Sequence, residues 1–161
     1  MKKLICLLLL VCTVLSLASC SRRPKDFQAA EMTITLTRAF KRSPVPGFTA
    51  CYHTKEVMVM IIKEPMNLKE GFLKLTVEEY VEEVREANKS KSPSEAVCED
   101  GLIYYTYVYR DDSRDKTYVY LCAAYKSTGA FWLVQFATPE EDYQTHREDI
   151  LTWAKSVHFE E

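Results

Sequence analysis

A chain of 161 residues with 21 Lys and Arg against 23 Asp and Glu has a formal charge of −2, and the two signs are mixed along it. It therefore lacks the basic footprint with which proteins hold nucleic acid. Its glycines stand singly at Gly47, Gly71, Gly101 and Gly129, which excludes a phosphate-cradling loop, and neither H-E-x-x-H nor G-x-S-x-G occurs. In chain order the first element is a leader. Lys2 and Lys3 give a positive start, and Leu4 to Leu17 form an apolar run of about 14 residues, short of the roughly 20 that span a bilayer. This reads as a signal peptide over residues 1–19, and losing its two lysines makes the remaining chain two units more negative.

The leader ends on Leu17-Ala18-Ser19-Cys20, which resembles the lipobox of bacterial lipoproteins at all four motif positions. The resemblance implies that the Cys20 thiol receives a diacylglyceryl group and that a signal peptidase cuts between Ser19 and Cys20. At least two acyl chains would then hold the protein, which is what converts marginal attachment into stable anchoring. Residues 20–31 are expected to be the lipidated cysteine and a short tether. SRRPKDFQAAE, fully extended, reaches less than about 40 Å, so the folded part would work close to the membrane. Arg22, Arg23 and Lys25 either add weak attraction to anionic headgroups or belong to a plain polar spacer.

The single folded domain is expected over residues 32–161, long enough for one core. MTITLTRAF alternates apolar residues with threonines at the period of a half-buried strand, and SPVPG cannot continue it. FTACYHTKEVMVMIIKEP predicts two strands, over Phe48–Thr54 and Glu56–Glu64, turning near Lys55. Thr76-Val77-Glu78-Glu79 is a capping box opening a helix whose apolar stripe is Val77, Tyr80, Val81, Val84 and Ala87, and KSKSPS ends it. A short segment at Ser94–Glu99 precedes LIYYTYVYR, DKTYVYLCAAYK and AFWLVQFA, an antiparallel meander separated by DDSRD and KSTG. Symmetric closure of the first hairpin sets Tyr105 opposite Leu121, Tyr107 opposite Val119, Tyr104 opposite Cys122 and Thr106 opposite Tyr120. Both faces are then apolar, so both should be covered. A closing helix follows, with Thr138 as its N-cap, Pro139 at its first position, Glu141 completing a capping box, and Tyr143, Ile150, Ala154 and Val157 inward.

These elements make an α+β fold, an antiparallel sheet of about six to seven strands flanked by helices, the last of them C-terminal. Their order is similar to the PsbP-like sandwich shared by the photosystem II extrinsic protein and the bacterial DcrB lipoproteins, with FWLVQFA and ILTWAKSVHF resembling the last strand and terminal helix of uncharacterised lipoproteins in that group. The resemblance implies a non-enzymatic accessory or binding role and carries over no site residue.

Direct candidates for chemistry are few. Cys51 and His53 share a strand face as a thiol–imidazole pair would, although a cysteine beside tyrosine in a strand is more often a small hydrophobe. Asp111-Asp112-Ser113-Arg114-Asp115 begins like a calcium loop, but Lys116 stands where glycine is needed and Cys122 where glutamate is, so it reads as a solvated hairpin tip. Glu78, Glu79, Glu82 and Glu83 read as a solvated helix face rather than metal ligands, and His146 and His158 are isolated. Cys51, Cys98 and Cys122 permit at most one disulfide. The tyrosines at 104, 105, 107, 109, 118, 120 and 125 crowd one hairpin, either as a binding face or, the preferred reading, as cross-strand packing.

The sequence thus predicts a membrane-anchored extracytoplasmic lipoprotein. It would be a non-enzymatic binding or accessory module of the cell envelope, without cofactor, whose partner is a protein or small molecule in addition to the membrane. The alternatives are an envelope hydrolase with an unrecognised site, and a structural adaptor. Cys20→Ala should stay uncut and take up no radioactive palmitate in its native host; normal labelling of that variant would refute the anchor.

Overall fold

The computed structural model describes residues 23–67 and 71–160. The leader, the Ser19–Cys20 cleavage point, the lipidation site Cys20 and Arg22 lie outside the described residues. Among the described residues ten strands form two antiparallel sheets. The smaller has β1 (Pro24–Ala29), β2 (Met32–Thr37) and β10 (His158–Phe159) in the order β1-β2-β10. The larger has β3 (Lys41–Arg42), β4 (Ala50–His53), β5 (Met58–Pro65), β6 (Val97–Glu99), β7 (Leu102–Asp111), β8 (Lys116–Lys126) and β9 (Ala130–Pro139), in the order β3-β4-β5-β9-β8-β7-β6. Helix α1 (Val77–Ala87) and helix α2 (Tyr143–Lys155) complete the α+β architecture.

Each face of the large sheet carries its own core. On one, Tyr52, Ile61, Leu121, Trp132, Val134 and Phe136 pack against Phe27, Ile34 and Leu36 of the small sheet and Ile150 and Ala154 of α2. On the other, Tyr105, Tyr107, Cys122, Phe131 and Leu133 pack against Tyr80 and Val81 of α1 and against Phe72 in the turn before it. Tyr80 stacks on Phe131 with centroids 4.4 Å apart, and Phe72 meets both rings edge-on. The loop bearing Val45 and Phe48 covers what α1 does not reach, over Cys51, Met60 and Ala137. The double cover expected from two apolar faces is present.

Helix α1 begins where the sequence places it. The Thr76 hydroxyl accepts from the Glu79 amide at 3.2 Å, and the Glu79 carboxylate accepts from the Thr76 amide at 2.8 Å. Tyr80 and Val81 are buried and Val77 and Val84 pack beside them, whereas Ala87 is exposed.

Three expectations need correction. The supposed tether is largely strand β1: all six of its residues pair with β2, and Phe27 and Ala29 are buried. The pairing is closed by a two-residue turn in which Ala30 takes a φ of 53°. Phe27 meets Tyr52 edge-on at 5.0 Å, and the Tyr52 hydroxyl donates to the Gln28 carbonyl at 2.7 Å, fastening β1 to the large sheet.

The register of the β7–β8 hairpin is displaced by one residue. Tyr105 opposes Cys122, Thr106 opposes Leu121, Tyr107 opposes Tyr120 and Tyr104 opposes Ala123. The cause lies at the tip. Asp111 accepts from the Ser113 amide at 3.0 Å and from its hydroxyl at 2.6 Å, while Asp115 takes a left-handed φ of 52°. This Asx turn confines the loop to Asp112–Asp115 and lets Asp111 pair with Lys116.

Thr138 is not a helix cap and Pro139 is not helical. Both extend β9, opposite Val119 and Tyr118, and the fully buried Thr138 hydroxyl donates to the Glu56 carbonyl at 2.9 Å. Strand pairing wins over capping here. A 3-10 turn over Glu140–Asp142 intervenes before α2, whose inward residues are Ile150, Leu151 and Ala154.

Phe27→Ala should cost about 3 kcal/mol by urea unfolding, the loss expected of a buried aromatic. A loss below about 0.5 kcal/mol, the range of exposed positions, would return residues 24–29 to the role of spacer.

Candidate functional site

An apolar trough with an acidic rim lies between α1 and the outer strands β6 and β7, with a volume of about 470 Å³. Leu75, Ala96, Val97, Cys98 and Ile103 form its floor, and Glu78, Glu79, Glu82 and Glu83 stand along its lip. The helix creates this asymmetry by turning Tyr80 and Val81 into the core, which leaves its glutamates at the outer border. The floor is open because β6 is short and lies at the sheet edge, leaving Val97 42% exposed and Cys98 exposed.

One arginine sets the spacing between the two sides. Arg85 donates through Nε to the Ser94 carbonyl at 2.7 Å and meets Glu82 at 2.5 Å and Glu95 at 3.3 Å. The strand-leading segment is thereby clamped to α1. Glu79 is engaged in the capping box, and Glu78 is held below the usual carboxylate range by its own backbone amide and by the Thr76 hydroxyl. Glu78 therefore keeps its negative charge further into acidic solution than an ordinary glutamate.

A second hollow of about 240 Å³ lies at the end of the sheet, where His53, Met58, Tyr109, Arg114 and Lys116 converge. The tyrosine-rich hairpin is divided along its length. Tyr104, Tyr105 and Tyr107 are buried, Tyr118, Tyr120 and Tyr125 are half-buried, and Tyr109 is 47% exposed. Packing accounts for most of them: Tyr107 stacks on Tyr120 at 4.6 Å, and the Tyr125 hydroxyl donates to the Ala154 carbonyl at 2.8 Å. The Tyr104 hydroxyl donates to Glu99 at 2.8 Å, and Arg147 of α2 approaches the same carboxylate at 3.3 Å. The Tyr80 and Tyr105 hydroxyls are buried with no hydrogen-bond partner among the described residues, and burial raises both above the ordinary phenol range.

The remaining sequence candidates separate from one another. Cys51 is buried under Val45 and Phe48, and burial pushes its thiol up, the opposite of nucleophile activation; His53 turns Nδ1 toward the Thr54 carbonyl at 3.2 Å. The envelope-hydrolase alternative loses its one sequence hint. The carboxylates of the DDSRD tip are occupied by arginines, Asp112 and Asp115 by Arg110 and Asp111 by Arg114. Among the described residues no group of three or more His, Cys, Asp or Glu is placed to hold a metal. His146 and His158 join no such group. Cys51, Cys98 and Cys122 are all free, and burial raises Cys122 to about 12. Nothing in the sequence marks the trough: the four glutamates read there as a solvated face, and the exposure of Val97 and Cys98 emerges only with β6 placed at the sheet edge.

No protein-family model matches the chain, and no curated protein matches it by sequence. Solved structures match it in fold. CyanoP, the cyanobacterial PsbP of Synechocystis, superposes with a TM-score of 0.55 at 15% identity, over 86% of this chain and 94% of that one. The Ran-binding protein Mog1p of Saccharomyces cerevisiae gives 0.54 at 12% identity, over 86% of this chain and 96% of that one. A protein from Bacteroides thetaiotaomicron gives 0.56 at 7% identity over 88% of this chain, which spans 49% of its length. The chain thus has the PsbP-like fold, which Mog1p also has.

In the chain from residue 21 onward, at about pH 8, a chromogenic thiol reagent should consume one thiol rapidly. That thiol is Cys98, and Cys51 and Cys122 should react only on unfolding. Cys98→Ser should remove the fast phase; a fast phase surviving that substitution would contradict the burial of the other two.

Proposed function

We propose that this protein is a membrane-tethered, non-catalytic binding module of the cell envelope, held through a lipid on Cys20. Its trough between α1 and β6–β7 receives a basic, apolar-faced segment of a partner protein. The observation that carries this reading is the pairing of an apolar floor with a glutamate lip. Apolar contacts supply affinity, and the carboxylates select lysine or arginine flanking the apolar residues. The outer side of β6 is a sheet edge, so an extended segment can add to it by main-chain hydrogen bonds while alternate side chains enter the trough. Mog1p, which shares the fold, is a Ran-binding protein, so this architecture supports protein docking elsewhere. For the tether the support is the lipobox-like Leu17-Ala18-Ser19-Cys20 at the end of a short apolar leader.

Cys98 provides the readout, since it lies on the trough floor. A synthetic peptide of alternating lysine and leucine should slow its reaction with a thiol reagent in the chain from residue 21. A peptide of alternating glutamate and leucine should not. The double variant Glu78→Gln, Glu82→Gln should weaken the protection between about two- and tenfold, as befits solvent-exposed charge pairs. Equal protection by both peptides, or none by either, would rule out the trough as a site for basic segments.

A further inference from the structure

The chain enters the fold at a corner that is rich in cations. Arg23, Lys25, Arg38, Lys41 and Arg42 are all exposed, and among the described residues none of them has an ion-pair partner. The topology gathers them. Pro24 pairs with Thr37, which sets Arg23 beside Arg38, and the Arg38 amide donates to the Arg23 carbonyl at 2.9 Å. Phe40 then turns inward onto Trp153, and Lys41 and Arg42 follow at once as strand β3. Lys25, opposite Leu36, sits over the Phe27 ring at 5.0 Å. The nearest acid on the same strand, Asp26, accepts a hydrogen bond from the Thr35 hydroxyl at 2.7 Å.

The position of this corner gives it a partner. Three residues separate Cys20 from the start of β1, a span of about 10 Å when extended. Anything attached at Cys20 therefore holds these cations at its surface. We propose that the corner formed by Arg23, Lys25, Arg38 and β3 rests on an anionic lipid surface, which turns the trough away from the membrane. The inference rests on the tether reading for its biological setting, and its geometry follows from strand order: β3 and β6 are opposite edges of the large sheet. Six strand spacings of about 4.8 Å place β6 roughly 29 Å from β3. Phosphate headgroups meet the basic edge while the acidic trough faces outward, where the anionic bilayer neither repels it nor competes with it for a basic segment.

The test uses the chain from residue 21, which carries every strand and helix described and has no acyl group, so that only the surface can bind. It should co-sediment with phosphatidylcholine vesicles containing about 30% phosphatidylglycerol at low salt, and not with phosphatidylcholine alone. Raising the salt from about 0.05 to 0.5 M should release it. The triple variant Arg38→Glu, Lys41→Glu, Arg42→Glu should lose binding by about a hundredfold or more, at roughly fivefold per cation removed and further for each acid introduced. Its folding is checked by Cys98 remaining the one fast thiol. A dye on Cys98 should stay unquenched by spin-labelled headgroups when the chain is vesicle-bound. Undiminished binding of the triple variant, no binding by the parent chain, or quenching at Cys98 would each overturn the proposal. Mass spectrometry of Cys20 in native material separates the two readings. Charge-dependent vesicle binding without an acyl group sinks the tether alone, and an acyl group without charge dependence sinks the corner alone.

Discussion

Because Trp132, Val134 and Phe136 leave β9 on one side and Phe131 and Leu133 leave it on the other, all buried, the centre of the large sheet tolerates water on neither face. That constraint organises the molecule. One face needs a full second layer, which β1, β2, β10 and α2 supply; the other is closed by α1 and, further along, by the loop through Val45 and Phe48. Large aromatics do much of this, since each buries wide area and the stacked pair Tyr80–Phe131 fixes where α1 sits.

Cover on the α1 face is shorter than the sheet it covers. Eleven helical residues extend about 16 Å, whereas the ten residues of β7 extend roughly 34 Å. Tyr105 and Tyr107 lie under the helix layer, and Tyr109, on the same face, runs beyond it into solvent. The same shortfall across the sheet exposes the floor between α1 and β6. The trough is thus what remains when a three-turn helix is laid on the outer strands and held at a distance by Arg85.

Elements set by local chemistry were legible in the sequence. The Thr76–Glu79 box fixed the start of α1, and the apolar residues on both faces of the LIYYTYVYR–DKTYVYLCAAYK hairpin implied the double cover. Misreadings arose where a contact distant in sequence, or a single side chain, outweighed the local pattern. Thr138 is an ordinary cap residue until Glu56 offers its carbonyl from 82 residues away. The Asp111–Ser113 hydrogen bonds move the whole hairpin by one position, a choice that symmetric counting across DDSRD cannot make. PKDFQA has a proline and two charges against one large apolar residue, and its strand identity comes from Tyr52 and β2 rather than from itself. The trough was illegible for a related reason: its lip and floor come from segments about twenty residues apart, and neither has an unusual composition alone.

Strand β2 is flanked by the first strand on one side and by the final strand on the other. Glu160 closes that meeting twice, through its amide to the Glu31 carbonyl at 3.0 Å and through its carboxylate to Gln28 at 3.2 Å. The small sheet is therefore stitched from both extremities of the described chain, and its pairing spans well over a hundred positions. Such long-range closure makes for slow folding. A polypeptide delivered amino end first, from a ribosome or through a translocation pore, would hold β1 and β2 ready and unfinished until the last turn of α2 had emerged. Completion of the native state is timed by the arrival of His158 and Phe159.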